Sequence, residues 1–69
     1  MPRVVIDLPS TVKEEEIKAI SDALTQPTPA MWEIFKHNLN AFRNFLKEAC
    51  KAFWWKIVDW VQNLWDSWF

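Results

Sequence analysis

The sequence predicts a mainly α-helical chain: a short N-terminal strand over about residues 3–8, a helix over about 12–25, a Pro-x-Pro hinge, and a long amphipathic helix over about 30–69, straight or kinked. Three observations carry this expectation. All four prolines lie before residue 30. All six tryptophans and five phenylalanines lie after it. The 69 residues contain no glycine, which removes every glycine-rich phosphate loop from consideration. Residues 1–29 thus form a strand–helix segment and residues 30–69 a Trp-rich helical segment, within one structural unit.

Arg3 to Leu8 is rich in β-branched residues and is closed by Pro9, the pattern of a short strand. Val4, Ile6 and Leu8 alternate onto one face, Arg3, Val5 and Asp7 onto the other. Thr11-Val12-Lys13-Glu14 fits a capping box, with the Thr11 hydroxyl taking the Glu14 amide and Glu14 reaching back. Three consecutive glutamates then suit the positive end of the helix dipole. Ile17, Ile20 and Leu24 give that helix its apolar stripe. Gln26-Pro27-Thr28-Pro29 ends it, because two prolines two apart hold the backbone extended.

From Ala30 onward the stripe Trp32, Phe35, Leu39, Phe42, Leu46, Ala49, Phe53, Ile57, Val61, Leu64, Trp68 takes ten steps to cover 36 residues. That average of 3.6 is the period of a straight α-helix. An unbroken helix of 40 residues would be about 60 Å long at 1.5 Å per residue. The sequence also allows a kink or break near Asn38–Asn40 or at Gln62-Asn63, where side-chain amides compete for backbone hydrogen bonds; a helical hairpin is less favoured, since nothing in the segment looks like a turn.

At 100° per residue the apolar arc widens beyond Phe53. Trp54, Val58, Trp65, Phe69 and finally Trp55 extend it, leaving a narrow polar strip of Lys56, Asp59, Asn63 and Ser67. Five tryptophans present on the order of 1,000 Å² of side chain, more than soluble monomers leave wet in one patch. The 12–25 helix, about 21 Å long, covers only part of that surface. The sequence therefore predicts a non-catalytic protein that acts by contact, as a homo-oligomer bound to a membrane interface. Phe53, Trp54, Trp55, Ile57, Val58, Trp60, Val61, Leu64, Trp65, Trp68 and Phe69 are its candidate membrane or partner contacts. Val4, Ile6, Leu8, Phe35, Leu39, Phe42 and Leu46 are its candidate self-association residues, since a lone strand needs a mate from another copy. The alternative is a soluble regulator that docks the aromatic helix into a hydrophobic groove on a target protein.

The segment Phe53–Phe69 resembles in type the in-plane anchors of peripheral membrane proteins, although Asp59 and Asp66 weaken its attraction to anionic lipid. Strand, capped helix, then helix over residues 3–25 resembles the ribbon-helix-helix repressors, dimers that lay a two-stranded ribbon in DNA. That resemblance implies a two-fold dimer and, as a minor reading, DNA binding. The exposed ribbon face would be Arg3, Val5 and Asp7, however, and the net charge is −1, so no nucleic-acid partner is expected.

One cysteine and one histidine exclude an internal disulfide and a structural zinc site, so no metal and no cofactor are expected. His37 follows Glu33 by one turn and reads as a solvated i,i+4 pair. Cys50 reads as a buried small hydrophobe. Lys51, Lys56, Asp59 and Asp66 interrupt the richest apolar region, which predicts no transmembrane span. Asp7 and Pro9 cut short any signal-peptide core, which predicts a cytoplasmic protein peripheral at a membrane.

Overall fold

The structure is a computed structural model that describes residues 8–69. The strand expected over 3–8 lies outside the described residues except for Leu8, which is half-buried against the core and irregular. Among the described residues the chain is helical, with α1 Glu14–Leu24, α2 Pro29–His37, α3 Leu39–Ala49, a single 3-10 turn Lys51–Phe53, and α4 Trp54–Trp68.

α1 begins two residues later than the sequence suggests, and the Thr11–Glu14 capping box does not form. The reason is a turn: the Val12 N–H donates to the Pro9 carbonyl at 3.1 Å, which places Thr11 in the bend ahead of the helix. Capping passes to Glu16, whose Oε1 accepts from the Lys13 N–H at 2.9 Å. α1 stops at Leu24, where the Thr25 hydroxyl donates back to the Asp22 carbonyl at 2.7 Å and the prolines forbid continuation. α2 then starts on a compact signal. Thr28 Oγ1 accepts from the Met31 N–H at 3.2 Å, and Pro29 occupies the first helical position, where no N–H is needed.

The single long helix over 30–69 is not what forms. Asn38 adopts extended backbone (φ −147°, ψ 93°) and its Oδ1 accepts from the Ala41 N–H at 3.1 Å, so it ends α2 and caps α3 in one residue. This is the break that asparagine competition anticipates. The second break falls at Cys50–Phe53 rather than at Gln62-Asn63, which lies inside α4. There Cys50 (φ −122°, ψ 30°) and Phe53 (φ −136°, ψ 24°) change the chain direction. Both keep negative φ, so the reversal needs no glycine. Instead of a 60 Å rod, the molecule measures 31 × 21 × 20 Å.

Folding back lets the stripe cover itself. α3 sits between α2 and α4 and also contacts α1. Ile20, Ala23 and Leu24 from α1 meet Phe35, Phe42 and Leu46, and these join Cys50, Phe53, Ile57, Trp60, Val61 and Leu64 in one core. Apolar burial of this kind is the main stabilising term in a small domain.

α4 is also tied to the N-terminal segment. Lys56 Nζ lies 3.0 Å from Glu16 Oε1 and donates to the Thr11 carbonyl at 3.1 Å. The Lys13 N–H donating to its carboxylate, together with Lys56, holds the Glu16 carboxyl below the usual glutamate range. A lowered folded pKa contributes stability that is present above the ordinary glutamate value of about 4.3 and is lost as pH falls through the folded value. Glu16→Gln is therefore expected to flatten the acid limb of the urea midpoint below about pH 4.3. A limb of unchanged slope would show that other carboxylates carry it.

Candidate contact surface

The structure separates the predicted contact residues into three groups. Phe53, Ile57, Trp60, Val61 and Leu64 are buried in the chain's own core. Trp54, Val58, Trp65 and Trp68 are half-buried. Trp55 and Phe69 are exposed, at 73% and 42% of their surface. Of the predicted self-association residues, Phe35, Phe42 and Leu46 are buried, Leu8 and Leu39 are half-buried, and Val4 and Ile6 lie outside the described residues. The stripe residues of α4 share one core with residues of α1, α2 and α3.

At the end of α4 the aromatics form a cluster with α2. The Trp32 ring centroid lies 5.7 Å from Phe35 and 5.8 Å from Trp68. Phe69 lies 6.1 Å from both Trp32 and Phe42. Such spacings and tilted or edge-on ring angles are those that aromatic quadrupoles favour. Trp65 Nε1 donates to the Phe35 carbonyl at 2.6 Å. Trp68 Nε1 is buried and has no hydrogen-bond partner among the described residues.

At the other end of α4, Trp55 stands out from the surface with Lys56 Nζ 5.6 Å from its ring centroid, within cation–π range. Lys47 and Lys51 are exposed nearby in sequence, and Arg43 is half-buried. No protein-family model, curated protein or solved structure matches this chain.

The remaining polar candidates are surface features. Glu33 pairs with Lys36 at 3.1 Å, not with His37 as the spacing suggests, and exposed His37 makes no ion pair among the described residues. Among those residues no three His, Cys, Asp or Glu side chains are grouped to hold a metal ion, and no helix is long and apolar enough to cross a membrane. Cys50 is 1% exposed, and burial pushes its thiol pKa up. A buried thiol reacts only when the fold opens. The native protein is expected to resist labelling by an aromatic disulfide reagent that modifies it at once in urea. Rapid labelling without denaturant would mean that the α3–α4 joint opens freely.

Ile34 is the surface apolar residue that the sequence pattern misses. It lies off the 3.6-residue stripe, yet 56% of its surface is exposed on α2. Sequence periodicity ranks residues by alignment with the core, so an isolated apolar residue on the wet side leaves no signal.

Proposed function

We propose that the protein acts by contact rather than catalysis, seating its folded surface at a membrane interface and associating with further copies of itself. The observation that supports this most is Trp55, 73% exposed on a chain that buries nearly every other large aromatic at least in part. An indole combines an apolar ring with a polar N–H, which suits the boundary between headgroups and acyl chains. Phe69 and Ile34 add apolar surface away from it. Self-association rests on the Val4–Ile6–Leu8 alternation, and a stable monomer in sedimentation at micromolar concentration would remove that part of the proposal.

Docking of the aromatic face of α4 into a groove on another protein is less well supported. Ile57 and Val61 have no exposed surface, so that face becomes available only if the core is dismantled.

The membrane reading is tested by titrating the protein with phospholipid vesicles while following tryptophan emission. Lipid contact is expected to shift the emission of wild type to the blue, and Trp55→Ser to remove most of that shift. Absence of a shift with both neutral and anionic vesicles would overturn the proposal.

A further inference from the structure

We infer that residues 8–13 form a detachable strap, clasped to α4 by Lys56, which opens on its own while the bundle stays folded, and that acid opens it through Glu16, independently of any membrane contact. Three parts of the chain meet at one carboxylate. Glu16, in the first turn of α1, accepts on Oε1 from the Lys13 N–H at 2.9 Å and from Lys56 Nζ of α4 at 3.0 Å. The same ammonium donates to the Thr11 carbonyl at 3.1 Å, in the bend that the Val12 N–H closes onto Pro9. Lys56 is therefore joined at once to the backbone of the strap and to the side chain that caps α1 behind it. The pair is sheltered, with the Lys56 and Glu16 side chains 13% and 18% exposed, where a charge-assisted hydrogen bond is stronger than on open surface.

The strap itself contributes little to the core. Leu8, Pro9 and Val12 are half-buried, and Ser10, Thr11 and Lys13 are exposed. Leu8 and Val12 pack against the core, but the buried residues that compose it begin at Ile20. Few buried apolar groups and a short run of backbone hydrogen bonds mark a segment that opens locally, at a lower free energy than the whole fold. One nitrogen serves both Thr11 and Glu16, so its loss releases both. Acid acts at the same place. Among the described residues, Lys56 from α4 and Lys13 from the strap are the charged groups that bear on Glu16, and α3, which also packs on α1, adds none. Both are cations that favour the carboxylate. Protonation removes the charge that they hold, so the open strap takes up the proton more readily than the closed one, and falling pH favours opening.

The test is amide hydrogen exchange on the full chain, with protection taken relative to the intrinsic rate at each pH. The Val12 N–H reports the strap; the Leu46 N–H, inside α3 on a residue buried in the core, reports the bundle. Wild-type Val12 is expected to be less protected than Leu46. Lys56→Met keeps an apolar stem and removes the ammonium. It is expected to lower Val12 protection about tenfold, or to the unprotected rate, at neutral pH, and to change Leu46 by less than about twofold. Below about pH 4.3 wild-type Val12 is expected to lose protection faster than Leu46. Glu16→Gln is expected to hold Val12 at one low level across that range. An equal fall at Val12 and Leu46 in Lys56→Met would show that strap and bundle open together and would overturn the inference. Unchanged Val12 protection in that variant would overturn the clasp. An acid loss at Val12 that persists in Glu16→Gln would overturn the role of that carboxylate.

Discussion

Replacing Phe42 by alanine is expected to remove about half or more of the chain's stability at 25 °C. Phe42 has no exposed surface and its ring sits 5.5 Å from Phe35 and 6.1 Å from Phe69, so it joins α3 to both α2 and the end of α4. Removing a buried phenylalanine costs about 3–5 kcal/mol, through lost transfer energy and the cavity left behind. A chain of this length has roughly 3–10 kcal/mol in total at 0.05–0.15 kcal/mol per residue. The loss therefore takes a large share of the whole stability. Urea titration followed by circular dichroism reads it directly. Ile34→Ala, at an exposed site on α2, is expected to stay within about 0.5 kcal/mol of wild type. The sign of the Phe42 effect also separates the folded bundle from a lone amphipathic helix. Alanine is the better helix former, so in a lone helix the substitution would raise helicity rather than lower it.

The core was legible from the sequence to a large degree. Phe35, Phe42, Leu46, Phe53, Ile57, Val61 and Leu64 all belong to the 3.6-residue stripe and all are buried. Periodicity reports which residues turn inward; it does not report whether inward means toward one axis or toward several. The break at Asn38 was legible because an amide side chain that can cap a helix also competes with its interior. The break at Cys50–Phe53 was not. It is made from backbone angles open to any residue, by Cys50 and Phe53, which carry no turn signal. Lack of glycine constrains positive φ only, and neither residue adopts it. The same blindness affected the contact surface. Treating 30–69 as one rod made five tryptophans look uncovered, whereas Trp60 is 3% exposed and Trp54, Trp65 and Trp68 are half-buried.

Trp65→Phe and Trp68→Phe make the same chemical change and are expected to differ in stability by about 1–3 kcal/mol. Both delete an indole N–H from a half-buried ring and leave a similar deficit in volume. Only Trp65 donates, to the Phe35 carbonyl at 2.6 Å, and its loss leaves that acceptor with the weaker Asn38 N–H at 3.3 Å. The Trp68 N–H is buried without a partner among the described residues, so its deletion relieves a desolvated donor and offsets part of the lost packing. Trp68→Phe is expected to remain within about 1 kcal/mol of wild type, with Trp65→Phe clearly less stable. Urea midpoints at constant m-value give the comparison. The difference also reports on the break at Asn38. In a continuous helix the Phe35 carbonyl would accept the Leu39 N–H four residues on, and no indole from α4 could be needed there. Equal losses in the two variants would mean that the Asn38 N–H alone satisfies the Phe35 carbonyl and that the indole bond adds no net stability.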